Sequence, residues 1–235
     1  MIAVEICVQD VAGAQAALDG GARRVELCSA LEVGGLTPSI GMIESVRALT
    51  GRAGWLSVLV RPRPGGYVYT PAEVEVTCAD IARAVEAGAD GVVVGSLTPE
   101  GQVQRSHLRD FVGAAQGRTV TFHRAFDVIR NRPAALEVLV ESGIDRILTS
   151  CGEEHAVDAA DELARLVDAA AGRLELMAGG GVRPRDIPIL AAAGCDAVHL
   201  SAKRARTDGG AGGEGKVWST DPAIVAAAAL EAARR

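Results

Sequence analysis

The hydrophobic pattern begins with a strand, a helix and a second strand that nearly repeats the first. Val4-Glu5-Ile6-Cys7 returns as Val25-Glu26-Leu27-Cys28, and an Ala-rich segment ending in Gly20-Gly21 separates the two copies. Because strand side chains alternate between two faces, each copy predicts a carboxylate and a thiol on one face and apolar residues on the other. Parallel sheets normally bury apolar residues on both faces, so these polar groups indicate a site at the C-terminal ends of the strands.

A strand and a helix alternate in the same way along the rest of the chain. Glycine follows an Ala- or Leu-rich helix and precedes a β-branched run in Gly20-Gly21-Ala22-Arg23, Ala87-Gly88-Ala89-Asp90, Ser142-Gly143-Ile144-Asp145 and Ala193-Gly194-Cys195-Asp196. Glycine at this point supplies the left-handed conformation that ends a helix before the next strand. The pattern predicts strands at 2–7, 23–28, 55–61, 91–95, 119–123, 146–150, 174–178 and 196–201, and helices at 10–19, 39–49, 71–87, 105–115, 133–142, 155–171, 184–193 and 221–233. Eight strands alternating with eight helices predict an α/β fold, the parallel eight-stranded TIM (β/α)₈ barrel.

The composition of the chain indicates how it is organised into domains. No Pro- or Ser-rich linker divides the 235 residues, so we interpret 1–235 as a single TIM-barrel domain. Apolar residues make up 49% of the chain and aromatic residues only 3%, which is typical of an α/β protein packed with Ala, Val and Leu. The Gly-rich, charged stretch 203–216 is predicted to be a flexible loop, followed by a C-terminal helix within 221–235.

The net charge restricts the binding partners that the sequence predicts, and the cysteine content bears on the cellular compartment. A net charge of −6 argues against general binding to nucleic acid or to an anionic membrane, and no apolar run reaches transmembrane length. The first residues lack a basic segment ahead of an apolar one, so we expect a cytoplasmic protein whose five cysteines are free thiols. The low charge density of the Ala-rich helices leaves a homo-oligomer open.

Polar residues follow nearly every predicted strand, where a TIM barrel carries its functional site. These strand ends supply Glu5, Cys7, Glu26, Cys28, Arg61, Arg63, His123, Arg124, Gly179, Gly180, Gly181, His199 and Ser201, and Asp127 follows His123 closely. We expect thiol, carboxyl, guanidinium and imidazole groups from distant parts of the chain to meet in one basin.

Seven segments of the chain together resemble the CutC family of copper homeostasis proteins. They are Val4-Glu-Ile-Cys7, Arg24-Val-Glu-Leu-Cys28-Ser29, Gly34-Gly-Leu-Thr-Pro-Ser39, Arg61-Pro-Arg63, Thr121-Phe-His-Arg-Ala-Phe-Asp127, Arg146-Ile-Leu-Thr-Ser150 and Gly179-Gly-Gly-Val182. The resemblance extends from residue 2 to about 202 and implies a cytoplasmic TIM barrel linked to copper tolerance. It implies that Cu(I) lies on the pair Cys7 and Cys28. Pro64-Gly65-Gly66-Tyr67 departs from the family pattern, which has an acidic residue there.

Chemistry supports the copper hypothesis and leaves another interpretation open. Thiolates are the soft ligands that Cu(I) prefers, and neighbouring strands would bring Cys7 and Cys28 close together. Each cysteine is equally compatible with a small buried apolar residue in the core.

The alternative is an enzyme that acts on a small anionic or phosphorylated metabolite. In that hypothesis the catalytic residues are Glu5, Glu26, Arg61, His123 and Asp127, with His123 moving a proton and Asp127 orienting it. The anion would be bound by Arg63, Arg124, Gly179, Gly180, Gly181, His199 and Ser201, because the turn after the seventh strand of many barrels holds phosphate. Glu5 and Glu26 are also compatible with a carboxylate pair that shares a proton, but we favour their interpretation as ion-pair partners of Arg24 and Arg61.

Overall fold

Eight parallel strands close into a barrel in the computed structural model, which describes residues 1–207 and 215–234. The strands pair in chain order, and the eighth pairs with the first, so the TIM-barrel prediction is confirmed. The strands are β1 Ala3–Val8, β2 Arg24–Leu27, β3 Leu56–Leu59, β4 Gly91–Val94, β5 Thr119–Phe122, β6 Arg146–Thr149, β7 Glu175–Gly179 and β8 Ala197–Leu200. The helices are α1 Val11–Asp19, α2 Ile40–Arg47, α3 Pro71–Glu86, α4 Arg105–Ala114, α5 Arg132–Glu141, α6 Ala160–Ala170, α7 Ile187–Ala192 and α8 Pro222–Ala233.

The four glycine-containing segments end helices as the sequence predicts. Gly21, Gly88, Gly143 and Gly194 all have positive φ, between 76° and 100°. An added Cβ would be strained in this left-handed conformation, and at Gly88 it would also lie 2.8 Å from the Arg47 side chain. These turns place the chain at the start of the next strand.

Three of the four segments end in an aspartate that stabilises the strand before it. Asp90 accepts hydrogen bonds from the backbone N–H groups of Trp55 and Leu56 at the start of β3. Asp145 accepts from Val120 in β5, and Asp196 accepts from Leu176 in β7. The carboxylates therefore join neighbouring strands at the N-terminal end of the barrel.

The core has an outer and an inner layer. Apolar side chains between the strands and the helices form the outer layer, whose largest members with no appreciable exposure are Trp55, Phe111, Phe122 and Phe126. Two smaller apolar clusters fill the inside of the barrel: Cys7, Cys28, Leu59 and Val93 in one, and Leu148, Met177 and Ala197 in the other.

The barrel interior also contains a buried network of charges. Arg24 on β2 binds Glu5 on β1 at 2.6 Å and Glu175 on β7 at 2.5 Å. Arg146 on β6 binds the other oxygen of Glu175 at 2.8 Å and donates to Thr121 at 3.0 Å. The network connects strands on different sides of the barrel below the C-terminal end.

The loop predicted for 203–216 is wrong for the part that the structure describes. Lys203–Thr207 forms β9, which pairs in an antiparallel manner with β10, Lys216–Thr220, while 208–214 lies outside the described residues. The prediction assumed that a polar stretch without apolar residues has no regular structure. A hairpin is held by its own backbone hydrogen bonds, and here Lys203 also lies over the Trp218 ring, 4.7 Å from its centre.

None of the helices within 1–207 and 215–234 combines the length and the apolar character that crossing a bilayer requires. The interpretation of 1–235 as one domain stays a prediction.

Candidate functional site

A cavity of about 680 Å³ opens at the C-terminal ends of the barrel strands. It brings together ten of the residues that the sequence singles out: Cys7, Glu26, Arg61, His123, Arg124, Asp127, Gly180, Gly181, His199 and Ser201. Glu5, Cys28, Arg63 and Gly179 do not line it. Thiol, carboxyl, guanidinium and imidazole groups therefore share one basin.

The two cysteines face each other where Cys7 reaches the base of this cavity. Their sulfur atoms are 3.6 Å apart, well beyond the roughly 2.05 Å of a disulfide, and both are free thiols. Cys7 is buried and reaches the cavity, whereas Cys28 lies behind it with no exposure. A hydrogen bond with Cys28 and burial raise the pKa of Cys7 well above its ordinary value, so the Cys7 thiol is protonated at neutral pH.

Glu26 is the carboxylate beside the thiols. One of its oxygens lies 4.0 Å from the Cys7 sulfur, and the other is buried without a partner among the described residues. Burial raises the pKa of Glu26 to about 7, and the negative charge of Glu5 acts in the same direction. The predicted ion pair of Glu26 is absent from the part of the chain that the structure describes, because Arg24 binds Glu5 and Glu175 instead.

His199 enters the same group because the barrel closes. β8 pairs with β1, which places His199 beside Glu5, and its Nδ1 is 2.8 Å from a Glu5 oxygen. Burial lowers the pKa of His199, but the nearby Glu26 and Glu5 outweigh that effect and raise it. Cys7, Glu26 and His199 each place one potential metal-ligating atom within 4.8 Å of the others.

The sequence predicts that these groups meet in one basin, but not that Cys7, Glu26 and His199 are direct neighbours within it. His199 was predicted as an anion-binding residue and Glu26 as a catalytic or ion-paired one. The signal that connects them is the closure of an eight-stranded barrel, which makes the first and last strands neighbours.

Glu5 does not line the cavity and belongs instead to the buried charge network inside the barrel. It is completely buried and accepts hydrogen bonds from both Arg24 and His199. Burial opposes its ionisation, but His199 and Arg24 outweigh this effect and lower the pKa of Glu5 to about 2. The geometry gives no support to Glu5 as a catalytic group, because its charge is already compensated on both oxygens.

Arg61 binds backbone carbonyl oxygens and not the carboxylate that the sequence suggested. It donates to Val33 at 3.2 Å, Gly35 at 3.0 Å and Gly65 at 2.7 Å, which fixes the loops after β2 and β3. Its Nε is buried and has no partner among the described residues.

His123 is placed as a hydrogen-bond donor, and its role as a proton carrier stays a prediction. Its Nδ1 accepts a hydrogen bond from the Ala125 N–H at 3.1 Å, so the ring proton lies on Nε2. Burial and the charge of Arg61 lower the pKa of His123 to about 3. A ring with this pKa does not take up a proton near neutral pH.

Asp127 does not orient His123, so that prediction is wrong. Its carboxylate accepts from the Thr149 hydroxyl at 2.6 Å, from the Ser150 N–H at 2.9 Å and from Arg124 at 2.6 Å. Asp127 and His123 are close in sequence, but the 3₁₀ turn after β5 directs Asp127 toward β6.

Arg63 and Gly179 lie outside the cavity. Arg63 binds Glu73 and the carbonyl oxygens of Gly66 and Val68, and its guanidinium lies 5.1 Å from the centre of the Tyr69 ring. A Cβ on Gly179 would lie 2.4 Å from Leu148, which explains the glycine by packing inside the barrel.

Comparison with known proteins identifies the family. The model of the CutC family matches residues 2–204. A family protein CutC of Xylella fastidiosa is 43% identical over 201 residues, 85% of this chain and 74% of that protein. The human copper homeostasis protein cutC homolog is 39% identical over 207 residues, 88% of this chain and 75% of that protein.

A solved structure agrees with these relatives. The crystal structure of CutC from Streptococcus agalactiae superposes with a TM-score of 0.81 at 33% sequence identity, covering 86% of this chain and 99% of that one. The resemblance that the sequence motifs carried is confirmed, and the chain belongs to the CutC family.

Proposed function

We propose that this protein binds Cu(I) through Cys7 and Cys28 and acts in copper homeostasis. The observation that carries the proposal is the 3.6 Å separation of the two sulfur atoms at the base of an open cavity. Two soft sulfur ligands at this separation are suited to one Cu(I) ion. The name of the human relative, a copper homeostasis protein homolog, supports the same role.

His199 is a further ligand beside Cys7 in this proposal, because a ligating atom of its ring lies within 4.8 Å of the Cys7 sulfur. Glu5 accepts the hydrogen bond of Nδ1, which orients the ring and leaves Nε2 as the nitrogen available to a metal. Imidazole is a better copper ligand than a carboxylate, so Glu26 serves instead as a hydrogen-bond acceptor beside Cys7. Cys7, whose pKa is raised, must lose its proton on binding, so copper binding releases a proton and tightens as the pH rises.

Anaerobic titration with Cu(I) in competition with a chromophoric chelator tests the site. We expect one tight site in the native protein and its loss when Cys7→Ser and Cys28→Ser are combined. Cys78→Ser is the matched control, because this thiol lies on α3, away from the cavity, and its removal should leave the affinity unchanged. Unchanged competition by the double variant would overturn the proposal.

A second candidate function is catalysis on a small anionic metabolite. The observation that favours it is the raised pKa of Glu26, about 7, on a carboxylate that lines the cavity. A group with this pKa exchanges protons efficiently at neutral pH, so Glu26 takes the role that the sequence assigned to His123. A metabolite screen by thermal shift would support catalysis if a ligand stabilises both the native protein and the double cysteine variant.

The cytoplasmic location and a homo-oligomeric state stay predictions. Fractionation of cells and sedimentation of the purified protein would test them separately.

A further inference from the structure

Two hydrogen-bond donors in the cavity wall have no acceptor within the described residues. They are the Nε of Arg61 and the Nε2 of His123, and each residue is only 6% exposed and lines the cavity. The Arg61 atom is always an N–H donor. The His123 atom is one too, because Nδ1 of the same ring accepts the Ala125 N–H. Buried donors are rarely left unpaired, so this pair indicates a ligand with acceptor oxygens.

The positive charge of Arg61 also indicates an anionic ligand. Among the described residues, Arg61 binds three backbone carbonyl oxygens and forms no ion pair. A guanidinium that is buried with neutral partners only is unfavourable unless an anion compensates it. Lys203 also lines the cavity, which adds a second positive charge near its opening.

Tyr67 fixes the two donors relative to each other. Its ring centre is 5.0 Å from that of His123 and 5.5 Å from the guanidinium carbon of Arg61. One aromatic side chain therefore supports both groups and lines the cavity with them.

We propose that Arg61 and His123 together bind the carboxylate group of a small organic acid in this cavity. Arg61 and His123 offer two N–H donors, and a carboxylate offers two acceptor oxygens and one negative charge that compensates the Arg61 guanidinium. A phosphate dianion carries a third oxygen and more charge, and it would need additional donors. The site goes beyond copper binding and requires neither Cys7 nor Cys28.

The carboxylate site and the thiol pair share one loop. Arg61 holds the carbonyl of Gly35, and a Cβ on Gly35 would lie 3.5 Å from the Cβ of Cys28. An organic acid bound at Arg61 therefore lies in the same cavity as the thiols.

Titration of the native protein with sodium acetate and sodium lactate tests the proposal. Acetamide serves as the neutral counterpart and inorganic phosphate as the competing anion, all at constant ionic strength. We expect both carboxylates to raise the melting temperature and to shift the NMR signal of the His123 Nε2–H. An equal response to acetamide, a stronger response to phosphate, or no response to either carboxylate would overturn the proposal.

Variants localise the effect. Arg61→Gln removes the charge and the Nε donor, and His123→Phe removes the Nε2 donor while keeping a ring, so each should weaken carboxylate binding about tenfold or more. Arg83→Ala on the exposed surface of α3 should bind as the native protein does. The variant with both Cys7→Ser and Cys28→Ser should also keep binding, which separates this site from the copper site. Loss of binding in either control would contradict the assignment.

Discussion

At the scale of single residues, burial decides which titratable groups of the cavity are charged. His123 and Glu26 both line the cavity, and burial favours the neutral form of each side chain relative to the same side chain in water. Glu5 is buried more completely, but its hydrogen-bonded partners Arg24 and His199 keep it ionised. The residue type alone therefore does not give the charge, because the partners of each group determine it.

The lowered pKa of His123 predicts a specific pH dependence of stability. The unfolded chain takes up a proton near pH 6.5, whereas the folded protein excludes it until about pH 3, so stability falls as the pH falls through this interval. Between pH 7.5 and pH 5.5 this one group removes about 1.4 kcal/mol from the free energy of unfolding.

Urea unfolding of the native protein and of His123→Phe at both pH values measures this contribution. The variant should lose about 1.4 kcal/mol less than the native protein on acidification, because all other titrating groups are common to both. Equal losses would show that His123 is protonated in the folded state.

At the scale of secondary-structure elements, three aspartates that follow helix-ending glycines join neighbouring strands. Asp90, Asp145 and Asp196 follow the glycine that ends a helix, and each accepts a hydrogen bond from the backbone of the preceding strand. Arg23 occupies the corresponding position in the first of the four glycine-containing segments. Its backbone N–H donates to the carbonyl oxygen of Val4. The sequence showed the repeat, but only the register of the sheet showed the partner of each carboxylate.

Asp90→Ala should destabilise the protein by about 2 kcal/mol. The change removes the acceptor of the Trp55 and Leu56 N–H groups and the ion pair with Arg47. Asp110→Ala on the exposed side of α4 is the control and should change the free energy of unfolding by less than about 0.5 kcal/mol. Chemical denaturation followed by circular dichroism gives both values, and similar values would contradict the strand-joining role.

At the scale of the whole molecule, the barrel is closed around a buried charge network. Glu5, Arg24, Glu175 and Arg146 belong to four strands, and their ion pairs connect β1 and β2 with β6 and β7. His199 extends the network from β8 to the cavity. The fold and the site are therefore coupled through Glu5, which orients the proposed histidine ligand of copper.

Glu5→Gln should lower the free energy of unfolding by about 3 to 5 kcal/mol, because it leaves buried Arg24 with half of its compensation. Glu141→Gln breaks an exposed ion pair with Arg105 and should cost less than about 1 kcal/mol. Thermal and urea unfolding at neutral pH compare the two variants. A small effect of Glu5→Gln would show that the network contributes little to closure of the barrel.

The sequence by itself determined the fold and the end of the barrel that carries the site. Helix ends at Gly88 or Gly143 and strand alternation at Glu5 and Cys7 depend on local backbone and side-chain geometry, which neighbouring residues specify. Its motifs also indicated the family. Sequence distance misled where a partner was assigned by proximity, as for Asp127 with His123.

Only the tertiary structure decided which side chains meet. Closure of the barrel places His199 of β8 beside Glu5 of β1, although 194 positions separate them. Arg61 and His123, whose donors have no acceptor among residues 1–207 and 215–234, are likewise brought together by tertiary contacts, since both lie beside the Tyr67 ring. Such contacts depend on strand register and on burial, which arise from the packing of the whole chain and not from any local segment.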